Sequence, residues 1–279
     1  MTWRLLIPNV VLAYGSQQGP VDDESMLHAA LADAGAQVLT APWQDTDRWE
    51  ALAVDMDLVV PRRLSLDAPR RERLLAWGER VDELSRLAVD VDVLRWNTHR
   101  SFLMELEERG APLVPTAWMA QGDRIDLDAL RKARGWDAVQ VLRAVHPGPA
   151  AVPATGTATQ QDLDDALAAG DTLLRPVPPP GTTTLAVVVI AAEPSHVIGG
   201  RAHQQQRVND DEAAALGAWV IEATGVDLPL ARVTFSRDSF GALQLLDVEA
   251  VAPALSLPLA PEAAPAAAHA LLARVTTTT

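Results

Sequence analysis

The chain contains no cysteine, one lysine (Lys132), one tyrosine and three phenylalanines among 279 residues. Without thiols it has neither disulfides nor thiolate metal sites. No apolar run reaches the ~18 residues that a membrane-spanning helix needs. The apolar start, MTWRLLIPNVVLAYG, lacks a small-residue cleavage site and is expected to form a first buried strand, not a signal peptide. Positive charge is also scarce: 23 basic against 37 acidic residues leave a net charge of -14. Nucleic acid needs clustered basic surface, so it is excluded as a partner. Hydrophobic content of 48% with 22% charged residues is that of an ordinary globular protein, expected in the cytoplasm.

What the sequence does hold is concentrated between Arg232 and Leu257. Ala231 to Phe235 alternate as a strand, Asp238 to Gly241 supply turn residues, and Ala242 to Val251 run apolar again. Asp247 and Glu249 lie two apart in that second run, so on a strand they project from one face. Burying a carboxylate without a partner costs several kcal/mol. The pair therefore asks for a cation, a cleft or water, and Arg232 on the adjoining strand is the nearest candidate counter-charge.

Upstream, apolar strands are expected at Leu5 to Ala13, Gln37 to Thr40 and Leu58 to Pro61, with helices at Glu24 to Ala34 and Pro69 to Leu87. That alternation predicts a parallel sheet with crossover helices. The loop after such a strand is a ligand position. Here it begins with Arg62, whose fork suits a substrate carboxylate, although two arginines on a solvated loop explain it equally well. Further on, helices are expected at Leu127 to Ala133, Asp162 to Ala169, Asp211 to Thr224 and Ala263 to Val275, and strands at Asp137 to Ala144, Thr172 to Val177 and Leu185 to Ala191.

The closing hairpin and the segments Val91 to Leu106 and Gly110 to Trp118 together resemble the ATP-grasp superfamily. The similarity is greatest to a bacterial subfamily of ATP-grasp ligases that includes a D-cycloserine-forming cyclase. It implies an α/β (α+β) ATP-grasp fold. An N-terminal three-layer α/β domain (1–93) would be followed by two α+β subdomains, a central one (94–176) and a C-terminal one with the acidic strand and tail helix (177–279). It further implies that Asn97 caps a helix and that Arg100 stands at the first nucleotide-binding lysine. Arg143 and Arg175 would also face the cofactor. Arg62, His196 and Arg207 would line the substrate, Arg232 would be catalytic, and Asp247 and Glu249 would hold Mg2+.

Several positions depart from the family pattern. Leu142 stands where the second phosphate-binding lysine is expected, with Arg143 beside it. The flap loop after Val145 carries Pro147, Pro149 and Pro153, which remove amide donors and stiffen it. Thr182 to Thr184 replace ribose-binding acids, Thr234 replaces a further metal ligand, and Ala252 replaces a glutamate. His196 is more readily a satisfied structural histidine than a ligand.

Three readings follow. The first is a protein of this fold whose nucleotide site has diverged, binding a small anionic or amino-acid-like metabolite with weak or no ATP turnover and no obligatory cofactor. The second is an active ligase using ATP and Mg2+ through an acyl phosphate. The third is a non-catalytic subunit of an intact relative. Neither nucleic acid nor membrane is expected as a partner, and assembly into a homo-oligomer stays open.

Overall fold

The computed structural model describes residues 7–15, 22–145, 157–179, 181–201 and 204–276. A first sheet joins β1 (Asn9–Tyr14), β2 (Gln37–Pro42) and β3 (Leu58–Arg62) in the order β2-β1-β3, all parallel. Every residue of β3 is buried, as expected of a parallel strand covered on both faces. Helices α1 (Asp22–Asp33), α2 (Thr46–Ala53) and α3 (Ala68–Asp82) are the crossovers and cover. In α3, Asp67 accepts the Arg70 backbone N–H and Pro69 sits in the first turn, a strong start signal.

Two short helices, α4 (Val91–Asn97) and α5 (Phe102–Glu108), then lead into an antiparallel sheet of order β4-β6-β5. Its strands are β4 (Ala117–Met119), β5 (Val139–Arg143) and β6 (Thr172–Pro176), with α6 (Leu127–Arg134) and α7 (Gln160–Ala169) on one face. A small core of its own, including Ala117, Leu127, Val139, Leu163 and Leu174, holds this layer together. The expected proline-bearing flap, 146–156, lies outside the described residues.

The rest is an antiparallel five-stranded sheet ordered β11-β10-β7-β8-β9. Its strands are β7 (Thr184–Ile190), β8 (Glu193–Arg201), β9 (Gln204–Val208), β10 (Leu230–Arg237) and β11 (Leu243–Glu249), with α8 (Asp211–Thr224) after β9 and α9 (Ala264–Thr276) last. One hydrophobic cluster joins Leu12, Leu31 and Val60 of the first layer to Val188 and Leu230 of this sheet and Leu271 of α9. The two ends of the chain thus share a core. No helix among the described residues is long and apolar enough to cross a membrane.

Where sequence expectation and structure differ, the causes are local. The run expected as one segment from Val91 breaks after Asn97, which is the last residue of α4 and caps nothing. Its buried amide instead donates to the Val248 carbonyl and accepts the Ala250 N–H, both at 2.8 Å, which stitches α4 to β11. Helix α3 stops at Asp82, short of the expected Leu87, whose backbone instead bridges to Val59 beside β3.

Gly217 marks the tightest contact of α8 with the sheet. A Cβ there would lie 2.9 Å from Val187 Cγ1 on buried β7, and a β-branched side chain has little freedom to turn away. Ala would gain about 1 kcal/mol of helix propensity but overpack the junction by ~1–3 kcal/mol. Gly217→Ala is therefore expected to lower stability by about 1 kcal/mol in urea denaturation.

Candidate functional site

The hairpin of β10 and β11 carries one irregularity that shapes the site. Thr234 pairs with Asp247 but Phe235 pairs with Leu245, so Leu246 is the extra residue of a bulge. A bulge leaves its extra residue out of the ladder and re-aims the strand. The Leu246 carbonyl accepts from Arg175 Nη1 at 2.8 Å, tying β11 to β6. Beyond the bulge the regular period resumes, and Asp247 and Glu249 share a face, opposite Thr234 and Arg232.

Asp247 is neutralised from a distant part of the chain. Arg100, in the turn before α5, donates from Nε and Nη2 to Asp247 Oδ2 at 3.1 and 3.0 Å. Its Nη1 donates to the Arg143 carbonyl, and its backbone N–H donates to the Ala144 carbonyl. Arg100 therefore links the end of β5 to β11. The expected counter-charge, Arg232, does not fill that place: its Nη1 donates to the Ala254 carbonyl and Ser256 Oγ. Sequence reading could find the two carboxylates but not their cation, which lies 147 residues away.

Arg175 is the second cation. It is only 3% exposed, and Nε donates to Thr116 Oγ1 at 3.0 Å. Its Nη2 is buried with no hydrogen-bond partner among the described residues. Burial pushes the guanidinium pKa down to about 10, with Asp247 opposing and Arg100 adding to the shift. In the sheet register Leu142 faces Leu173 and Gln140 faces Arg175. Leu142 and Arg175 thus share the face turned toward β11. Arg143, paired with Thr172, lies on the other face and is exposed.

The remaining expected residues gather around 250–257, the segment after β11. Arg62 directs Nε and Nη2 at Glu24 in a pair whose side chains are both 2% exposed, while its buried Nη1 has no hydrogen-bond partner among the described residues. Losing one partner of such a pair would leave a buried bare charge. Asp23, next to Glu24, accepts the backbone N–H groups of Leu255 and Ser256 at 2.8 and 3.1 Å. Glu249 Oε2 accepts the Ala254 N–H at 3.1 Å. His196 is buried, its Nε2 2.8 Å from the Leu255 carbonyl and its Nδ1 3.0 Å from Ser195 Oγ. Arg207 lies further out, in an exposed ion pair with Glu262. Asp23 and Glu24 carry no motif and were legible only as the acidic opening of a helix.

The family resemblance implies Mg2+, and the donor set as built does not fit it. Magnesium takes carboxylate oxygens in near-octahedral array. Asp247 Oδ2 already receives two guanidinium donors, Oδ1 accepts the Val248 N–H, and Glu249 is turned to Ala254. Among the described residues no group of three His, Asp or Glu side chains could hold a metal ion.

Burial holds His196 below its ordinary pKa of 6.5, with the Leu255 carbonyl opposing. The unfolded chain then takes up the proton first. Stability is full above about pH 6.5 and falls as pH drops through that value. His196→Asn is expected to flatten the pH dependence of the urea midpoint between about pH 7.5 and 5.5. An unchanged slope would assign the effect elsewhere, for instance to His99, which burial also holds low.

No protein-family model matches the chain. The cycloserine biosynthesis protein DcsG of Streptomyces lavendulae is 31% identical over 117 residues, which span 41% of this chain and 36% of that protein. The crystal structure of D-cycloserine synthetase DcsG superposes with a TM-score of 0.80 at 23% identity, over 96% of this chain and all of that one. D-alanine–D-alanine ligase from Bacillus anthracis, solved with ATP, gives 0.67 at 11% identity over 97% of this chain and 96% of its own. The ATP-grasp ligase PsnB, solved with a minimal precursor, Mg and ADP, gives 0.64 at 15% over 96% and 98%. The three sheets of the described residues, with the acidic hairpin set against the β4-β6-β5 layer, have the ATP-grasp fold of these structures.

Proposed function

We propose that the protein is an ATP-grasp-fold binder of a small anionic or amino-acid-like metabolite, with weak or no ATP turnover. The observation that carries this reading is the Arg100–Asp247 ion pair, which occupies the carboxylate expected to hold metal. Catalysis of phosphoryl transfer is mostly positioning and charge neutralisation by Mg2+ and cations. A single preorganised contact to developing charge is worth roughly 3–4 kcal/mol. Here Leu142 puts an apolar side chain where one such contact is expected, and Thr182 to Thr184 offer no ribose carboxylate. Under this reading Arg62, His196, Arg207 and Arg232 shape the wall of the cleft, His196 and Arg232 by fixing the segment 250–257.

A second reading has one observation in its favour: 96% of the chain superposes on a D-cycloserine synthetase, and PsnB of the same fold was solved with Mg and ADP. The protein would then be an active ligase of small-molecule biosynthesis. Arg100, Arg143 and Arg175 would hold the nucleotide, and Asp247 and Glu249 would hold Mg2+ once Arg100 had left Asp247.

Calorimetric titration with Mg-ATP, paired with an assay for ADP release, separates the two. The expected result is no micromolar binding and no ADP above background. Micromolar binding abolished by Asp247→Ala with Glu249→Ala, together with turnover, would establish the ligase instead.

A further inference from the structure

Two guanidinium groups and one carboxylate share the space between β11 and the β4-β6-β5 sheet. Asp247 pairs with Arg100. Among the described residues Arg175 donates to neutral acceptors, Thr116 Oγ1 and the Leu246 carbonyl, and Asp247 and Arg100 are the charged groups that act on it. Two positive charges against one negative leave the trio with a formal charge of +1. Arginine cannot shed its proton to relieve this. Buried charges in folded proteins are otherwise paired, and an unmet donor on a charged group carries the full desolvation penalty. Arg175 Nη2 is such a donor.

We propose that Arg175, with Arg100 held beside it by Asp247, forms a metal-independent subsite for a carboxylate or phosphate group of the ligand. The inference rests on the diverged cleft proposed above and adds its charge logic. A bare carboxylate repels an anionic ligand, and a divalent cation is the usual bridge between them. Here the Arg100 guanidinium already covers Asp247, so the ligand anion needs no metal to approach. Arg175 supplies the free N–H donors, and it does so from β6. Its side chain, on the face turned toward β11, sits diagonally across from Leu142, so the cation missing at β5 is supplied by the neighbouring strand. Gln140, directly opposite Arg175, is half-buried on the same face and adds a neutral amide.

The test titrates the purified full chain with inorganic pyrophosphate and, separately, with succinate, in EDTA and again with excess MgCl2. At least one anion is expected to bind in EDTA, with affinity changed by Mg2+ less than about threefold. Arg175→Met should weaken it about tenfold or more, the worth of a hydrogen bond to a charged group. Binding of pyrophosphate alone assigns the subsite to phosphate, and binding of succinate alone assigns it to carboxylate. Thermal unfolding supplies a second readout. Saturating anion should raise the wild-type melting temperature and leave that of Arg175→Met unchanged. Anion binding that requires Mg2+, or that survives Arg175→Met, overturns the proposal. So does an Arg175→Met protein that is strongly destabilised while the wild type shows no thermal shift with either anion. Mg-ATP turnover alongside a metal-independent anion site would sink the proposed function and leave this subsite standing, so the two failures are distinguishable.

Discussion

A guanidinium resting on a carboxylate ties the turn before α5 to β11 and to the end of β5. Arg100 reaches Asp247 because three separate features converge. The chain breaks helix between α4 and α5, the Asn97 amide pins that break to the backbone of β11, and the bulge at Leu246 sets the phase of the strand. None of these is a charged interaction, yet together they fix where the charges meet. Once formed, the pair neutralises Asp247 and leaves Arg175 bonded to neutral acceptors, Thr116 Oγ1 and the Leu246 carbonyl. The anion subsite proposed above rests on that arrangement.

A second constraint works at the far end of β11. The segment 250–257 leaves the strand and is held from five directions: by Asn97 at the end of α4, by Asp23 at the start of α1, by Arg232 on β10, by His196 on β8 and by Glu249 on β11 itself. Irregular backbone inside a fold must find partners for its polar groups, and these side chains supply them. The shared core of the first sheet, the five-stranded sheet and α9 lies beneath. Polar residues that a reading by resemblance assigns to ligand contact here spend their hydrogen bonds on the protein's own main chain.

Much of this was legible from pattern alone. The period of two placed Asp247 and Glu249 on one face, and the strand–helix alternation gave the parallel first sheet. The helix Asp211–Thr224 was readable to the residue because Asp210 caps it and Gly225 ends it in the left-handed region. What escaped was of two kinds. The hairpin of β8 and β9 has an edge strand, Gln204 to Val208, that is largely exposed and polar, so it lacks the alternation that announces a strand. The pairs Arg100–Asp247 and Arg62–Glu24 join residues 147 and 38 positions apart. Their existence depends on tertiary placement, which leaves no trace in local spacing.

The claim most exposed to contradiction is that Arg100 and Asp247 are energetically one unit. A double-mutant cycle with Arg100→Gln, Asp247→Asn and the combined variant, read by urea denaturation, measures it directly. A partly buried, two-donor ion pair predicts a coupling of about 1–3 kcal/mol, with the double variant less damaged than the sum of the singles. Additivity within ~0.5 kcal/mol would mean that the two side chains do not hold each other. Asp247 would then be available to a metal ion after all.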